Sequence, residues 1–421
     1  KIKEKLKEYA VTASSKEIID NLEPYETIYE VRKKLKETDE ALDLLITKGN
    51  PPFEGLHDVK EGVERAKKGG ILSAGQLLKI GGMLRCSRRF KDYISRRDDE
   101  KPHLILEDLA YILTPIKQLE NIIELSIISE EEISDKASST LSSIRRNLKE
   151  KNSSVRDKIN SIVRANSKYL QDSLYTMRGD RYVLPVKAEY KSSVPGLVHD
   201  QSSTGATLFI EPMSLVNLNN EIKELKLKEK AEIERILMDL SNRVYEVIET
   251  IESNYNILTE LDFIFAKGKY GSSLNAICPD VNEDKSFDII QGRHPLIDPK
   301  VVVPSDIYLG KEFSTLMITG PNTGGKTVTL KSVGLLHLMA LSGLLIPAKD
   351  NSSVSFFKSI FADIGDEQSI EQSLSTFSSH MTSIVKIMEN ADDNSLVLFD
   401  EIGSGTDPTE GAALAIAILD T

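Results

Sequence analysis

Ser314-Thr-Leu-Met-Ile-Thr319 runs directly into Gly320-Pro321-Asn322-Thr323-Gly324-Gly325-Lys326-Thr327, and this stretch decides the fold class. An apolar run of strand length followed by GxxxxGK[ST] predicts a strand, a phosphate-cradling loop and a helix. The glycines let backbone amides approach phosphate oxygens, and the helix N-terminus adds the positive end of its dipole. In such a loop Lys326 reaches the β- and γ-phosphates of a bound nucleotide, and the Thr327 hydroxyl binds Mg²⁺.

Ser395-Leu-Val-Leu-Phe-Asp400-Glu401, with Asp400 seventy-four residues beyond Lys326, reads as a buried strand ending in two acids. That is the Walker B arrangement: Asp400 holds the Mg²⁺ shell and Glu401 polarises the attacking water. The pairing of the two motifs predicts ATP and Mg²⁺ as cofactors and an α/β P-loop ATPase domain of ABC type. Nothing in the sequence offers a Ser/His/Asp or Cys/His nucleophile system.

Upstream, the chain reads as helix. Ile28, Val31, Leu35, Leu42 and Leu45 fall on one face, with Pro24 near the start and Gly49-Asn50-Pro51-Pro52 at the end. A second apolar run, Leu104 to Ile128, is interrupted at Pro115. From about Met213 to Phe265 one very long helix is expected, because Leu218, Ile222, Leu225, Ile233, Ile236, Leu240, Val244, Val247 and Ile251 keep coiled-coil-like spacing. Before it, Tyr182–Lys187 and Ala206–Glu211 read as short strands with Gly196 and Gly205 as turns.

Charge is distributed unevenly. The chain has 421 residues and a formal charge of −12, yet Leu141 to Lys191 carries twelve Lys/Arg against five acids. A local surplus opposed to the global sign suits a phosphate-tracking surface, with Arg145, Arg146, Lys149, Lys151, Arg156 and Lys158 as candidates. A solvated helix face is the plainer alternative. Cys86 and Cys278 have no CxxC spacing and read as inert thiols, and the six scattered histidines give no zinc-binding pair. No apolar stretch reaches the ~20 residues of a membrane span. The chain starts at Lys1 with no signal-peptide pattern, so the expectation is a cytoplasmic protein cut at its N-terminus.

Thr319–Thr327, Asp400-Glu-Ile-Gly-Ser-Gly-Thr406 and Gly292-Arg-His-Pro295 together resemble the ATPase of the MutS mismatch-repair family. Gln372-Ser-Leu-Ser-Thr-Phe377 stands where that family has its signature loop, usually Ser-Gly-Arg-Ser-Thr-Phe. The resemblance implies that this loop reaches across a dimer to the γ-phosphate held by the other subunit, with Ser375 and Thr376 in that role. It also implies Asn322 as a nucleotide contact, and it puts Val302 where mismatch-repair members stack an aromatic on adenine. Arg178-Gly-Asp-Arg-Tyr-Val-Leu-Pro-Val-Lys187 and Gly205-Ala-Thr-Leu-Phe-Ile-Glu-Pro212 are similar to the second bacterial branch, which lacks the mismatch wedge. The Phe-x-Glu triplet Phe209-Ile-Glu211 lies mid-chain and is expected to be strand packing.

That branch implies a four-part organisation. A helical core or lever spans 1–130, a clamp with long helical arms and a small β element 131–257, a return to the core 258–283, and the ATPase domain 284–421. It further implies a homodimer whose partners are branched or double-stranded DNA and/or ribosomes through their rRNA. The expected jobs are suppression of homologous recombination and splitting of collided ribosomes, with endonuclease activity in a small C-terminal domain. Ending at Thr421, the chain stops short of that domain, so a truncated chain with an incomplete ATPase core is expected. The alternative is a structural ATPase of the chromosome-cohesion type, but such proteins separate their two Walker motifs by far more than seventy-four residues. A nucleotide-gated scaffold without turnover would not need Glu401.

Overall fold

A computed structural model describes residues 1–95, 102–320, 324–365, 373–403 and 406–419, with the side chains of 373–379 outside the description. The N-terminal part forms helices α1 (Ile2–Lys7), α2 (Ala13–Asp20), α3 (Ile28–Lys48), α4 (Lys60–Lys67), α5 (Ala74–Ser95), α6 (Leu104–Ile112) and α7 (Lys117–Ser126). Next come α8 (Ser139–Ala165), strands β1 (Thr176–Arg178), β2 (Arg181–Lys187), β3 (Gly196–Gln201) and β4 (Thr207–Pro212), then α9 (Met213–Glu246) and α10 (Ile248–Ser273). The remainder alternates: β5 (Asp280–Asn282), β6 (Phe287–Gly292), β7 (Ser305–Leu309), α11 (Lys326–Leu341), β8 (Ser353–Ser355), β9 (Ser359–Asp363), α12 (Ser373–Asn390), β10 (Ser395–Phe399) and α13 (Pro408–Leu419). The architecture is therefore a mainly helical region followed by an α/β region.

The chain divides into two compact units. The first comprises 1–58, 86–114 and 253–421, and the second 59–85 and 115–252.

In the first unit α3 shows how local sequence sets an element. The Thr27 hydroxyl accepts from the Glu30 amide and donates to the Glu30 carboxylate, a reciprocal cap at the helix start. Gly49, with φ +77, closes the other end. Val31, Leu35, Ala41 and Leu44 are buried on the inward face, as their three- and four-residue spacing requires. Two buried acids of this unit satisfy helix ends. Glu40 accepts from the amides of Ile105 and Leu106 at the start of α6, and Asp262 from Val11, Thr12 and the Thr12 hydroxyl ahead of α2.

The same unit holds the strands. One sheet has the order β5-β8-β6-β7, with β5 and β8 parallel and β6 antiparallel to both β7 and β8. A separate parallel pair joins β9 to β10, Ser359 opposite Ser395 through Asp363 opposite Phe399. Helix α11 packs Val333, Leu336, Met339 and Ala340 into the core that also takes Leu396 and Leu398 of β10. Gly334 permits this approach, since a Cβ there would sit 2.8 Å from Leu398 Cδ1.

In the second unit α8 and α9 pack along one another. Ile144, Leu148, Val155, Ile159 and Val163 meet Leu215 and Ile222 in a core shared with the sheet β1-β2-β4-β3. All pairings in that sheet are antiparallel, and β3 carries an irregularity between Val198 and Asp200.

Three expectations are corrected. The helix expected over Met213–Phe265 is two helices, because Val247 leaves helical geometry (φ −122°, ψ 21°) and its amide turns back to Val244 and Tyr245. The β-branched pair Val247-Ile248 suits that break, since both side chains crowd the preceding turn. Residues 314–319 form no strand. Leu316, Met317 and Ile318 are exposed at 44%, 67% and 36%, and no described strand pairs with them, so their apolar pattern lacks the ladder partner a strand needs. Gly196, expected in a turn, instead opens β3 where the chain touches β4: a Cβ would meet Glu211 O at 2.2 Å.

Candidate functional site

The phosphate-loop helix forms as expected. Gly325 takes a left-handed conformation (φ 80°, ψ 14°) as N-cap of α11, so the loop turns sharply into the helix and points its first amides outward. Gly320 is likewise at positive φ, and no atom of the described residues lies within 4 Å of where a Cβ would stand on either glycine. Lys326 donates from Nζ to Gly320 O at 2.7 Å, folding back over the loop it would serve. Pro321, Asn322 and Thr323 lie outside the described residues.

Tertiary structure joins the two motifs. With α11 against β10, the Thr327 hydroxyl donates to the Asp400 carboxylate at 2.5 Å. A hydroxyl and a carboxylate in contact form an oxygen-only donor pair, which suits Mg²⁺ bound jointly by protein and phosphate oxygens. The Asp400 amide donates to Asp363 O, which anchors the end of β10 to β9. Glu401 follows at φ 52°, an uncommon conformation for a non-glycine residue, and is exposed. That turn sends the chain away from the strand direction directly after Asp400.

The signature residues take a different form from the loop expected. Ser373–Phe377 forms the first turns of α12, with the side chains of Ser375 and Thr376 outside the described residues, as is Gln372 altogether. Sequence reading missed the neighbours that fix this helix. His380 donates from Nδ1 to Asp363 Oδ2 at 2.8 Å, and Asp363 ends β9 beside Asp400. A signal existed, since Ser359-Ile-Phe-Ala-Asp363 is also an apolar run ending in an acid.

The Gly292–Pro295 motif lies at the joint between the first unit's helices and sheet. Arg293 donates to the carbonyls of Leu274 and Asn275 just past the end of α10, the position a cation favours. His294 accepts at Nδ1 from the Leu296 amide, and burial with the nearby Lys331 charge pushes its pKa down. Val302 is half-buried between the exposed Val301 and Val303, and its amide bonds to Asp298 O. Both cysteines have thiols pushed up to about 12 by burial, which keeps them protonated and unreactive.

The basic stretch is only partly available. Arg145 is bound to Glu229 and Asp135 at 2.7 and 2.6 Å, and Lys151 to Glu221 at 2.6 Å. Arg181 is spent on Glu211, and Arg178 on Asp200 and the Phe209 ring. Arg146, Lys149, Arg156 and Lys158 are exposed on α8. Glu211, of the Phe-x-Glu triplet, is fully buried and accepts from Arg181, His199 and Asn219, so it is sheet packing as expected.

No helix among the described residues is long and apolar enough to cross a membrane. The family model described as MutS domain V matches residues 316–421. Over all 421 residues the chain is 71% identical to the endonuclease MutS2 of Clostridium beijerinckii, covering 54% of that protein. It is 68% identical over 420 residues to the endonuclease MutS2 of Clostridium botulinum strain Alaska E43, and 67% to that of Clostridium perfringens strain SM101. Those matches cover 54% and 53% of the relatives, so the chain spans about half the length of the curated relatives it matches.

Proposed function

The chain belongs to the MutS family, on the branch of its MutS2 relatives, and from that premise we propose that it is an ATP-hydrolysing clamp acting on nucleic-acid assemblies. The observation that carries this reading is the contact between Thr327 and Asp400, two motif residues far apart in sequence and joined by the packing of α11 on β10.

In this reading the backbone amides of the Gly320–Thr327 loop other than Pro321, with the Lys326 ammonium, would hold the nucleotide phosphates, while Thr327 and Asp400 would hold Mg²⁺. Bound Mg²⁺ supplies charge neutralisation at the β- and γ-phosphates. Glu401 accepts a hydrogen bond from water and aims it for in-line attack. Ser375 and Thr376 at the start of α12 serve the nucleotide of a second subunit in a homodimer. Nucleotide-dependent closure of the two ATPase domains is passed to the α8–α9 region as a grip, driven by the difference in nucleotide contacts between states. The division into lever (1–130), clamp (131–257), return (258–283) and ATPase (284–421) belongs to the same proposal.

The relatives' name attaches endonuclease activity to the whole protein. We assign it to no residue of this chain. Branched DNA, and with it suppression of recombination, is one target of the clamp, and collided ribosomes are the other. A cytoplasmic location follows from either.

The test uses the full-length protein. Glu401→Gln is expected to keep ATP affinity while turnover falls about a hundredfold or more, the scale of losing a positioned catalytic group. Hydrolysis at the wild-type rate would remove Glu401 from its role. The ATP-trapped variant is then offered branched DNA and collided ribosomes in competition at one fixed salt concentration. Preference for ribosomes assigns the grip to subunit splitting, and preference for branched DNA to recombination control.

A further inference from the structure

Helix α12 begins in the signature segment and runs for eighteen residues, packed against β9. One polar contact among the described residues ties it to β9 near the site. His380, one helical turn after Thr376, donates from Nδ1 to Asp363 Oδ2 at 2.8 Å. The carboxylate cannot donate, so Nδ1 carries the proton in this contact. Asp363 is mostly buried, with 11% of its side chain exposed, and His380 has 23%. The tether is therefore partly shielded from water, where a hydrogen bond to a carboxylate is worth most.

Asp363 faces two ways. Its side chain holds His380, and its backbone carbonyl accepts the amide of Asp400. Strand pairing sets Asp363 opposite Phe399, the residue before the two acids. One residue thus fixes α12 on one side and the Asp400–Glu401 corner on the other. The imidazole is seated against Gly365, where a Cβ would lie 2.7 and 2.8 Å from ring atoms Cε1 and Nε2. Glycine there leaves room for the ring beside Asp363, and any side chain would crowd it.

We propose that His380 is a positioning residue for ATP hydrolysis: through Asp363 it sets the start of α12, with Ser375 and Thr376, in register with the Asp400–Glu401 corner. This rests on the ATPase reading above and adds to it the residue pair that makes the signature helix and the Walker B strand a single rigid element. His380 touches neither nucleotide nor water in this role. It acts through the geometry of others, so its loss shows in turnover and not in nucleotide binding.

The experiment measures steady-state turnover and ATP affinity in the full-length protein for wild type, Glu401→Gln, His380→Leu, His380→Asn and Gly365→Ala, with thermal unfolding of each as a check on folding. His380→Leu keeps bulk and removes the donor. It is expected to lower kcat about tenfold while ATP affinity stays within about twofold, since modest misplacement of catalytic groups costs that much or more. His380→Asn offers an amide donor near the place of Nδ1 and is expected to restore most of the rate. Gly365→Ala crowds the ring and is expected to match the leucine variant, so it carries the test if the leucine variant does not fold. Turnover near wild type in both folded donor-disrupting variants overturns the proposal, and so does an asparagine variant as slow as leucine. Loss of ATP affinity in step with kcat also overturns it, by making the pair part of the binding scaffold. An idle wild type, or a Glu401→Gln variant as fast as wild type, instead sinks the ATPase reading itself.

Discussion

At the scale of single residues, the structure separates charges that are satisfied from those that are not. Lys267 is fully buried, and its ammonium has no hydrogen-bond partner among the described residues. It lies 4.8 Å from the centre of the Phe263 ring. Burial pushes its pKa down to about 7, against an opposing pull from Glu37. Between that value and the ordinary lysine value near 10.5 the unfolded chain binds more protons than the folded one. Stability of the first unit is therefore expected to rise with pH through that window and to be lowest below pH 7, where the buried ammonium is charged. Lys267→Met should flatten this rise and increase stability at pH 6 by about 1 kcal/mol or more, read from denaturant midpoints across pH. A variant with the wild-type pH slope would place the source elsewhere. Glu211 is the opposite case, a buried charge with partners on every side. Glu211→Ala leaves Arg181 and His199 facing a vacated buried site and is expected to cost about 3–5 kcal/mol in chemical unfolding, whereas Arg145→Ala on the surface should cost about 1 kcal/mol or less.

At the scale of elements, α8 shows why a charge count is not a binding surface. Its buried stripe from Leu141 to Val163 faces α9, and its start is fixed by Ser138, which caps the Leu141 amide and donates to Glu232 at 2.6 Å. Glu232, also held by Arg235, has its pKa drawn down to about 2 by these bonds. Arg145 and Lys151 then pair with acids of neighbouring elements, while Arg146, Lys149, Arg156 and Arg164 project from α8 with spacings that keep them near one side of the helix. Replacing those four with Gln in the full-length protein is expected to weaken nucleic-acid binding and reduce the slope of log K against log salt by about three. Replacing Arg145 and Lys151 instead should reduce thermal stability and leave the salt slope nearly unchanged. If the two sets behave alike in the binding assay, exposure on α8 is not what selects the contacts. The break at Val247 is an element-scale finding of the same kind: apolar spacing continues through it, but the backbone does not.

At the scale of the whole molecule, nucleotide binding should register as stability. A ligand that binds only the folded state at a hundred times its Kd stabilises by about 2.7 kcal/mol. ATP with Mg²⁺ is expected to give that gain in the Glu401→Gln protein and to give none in Lys326→Ala, as followed by the shift in thermal midpoint. Omission of Mg²⁺ should shrink the gain, since Thr327 and Asp400 then have no cation to share with the phosphates. An equal shift with and without Lys326 would mean that ATP binds elsewhere.

What the sequence determined by itself was local. Glycine demand at Gly325, three- and four-residue apolar steps in α3 and α9, and an apolar run ending in Asp400 each follow from the backbone's own geometry, and the elements they predict are present, although the helix expected over Met213–Phe265 breaks at Val247. The family was legible for the same reason, because its motifs are short and contiguous. Tertiary structure decided what depends on a partner distant in the chain. It left the run before the loop without a ladder, spent Arg145 and Lys151 on acids, buried Glu211 under three donors, and joined His380 to Asp363 and Thr327 to Asp400. Periodicity reports which face of an element is apolar, but hydrogen bonds and ion pairs are satisfied only by whatever the fold brings opposite, and that is not written in any single segment.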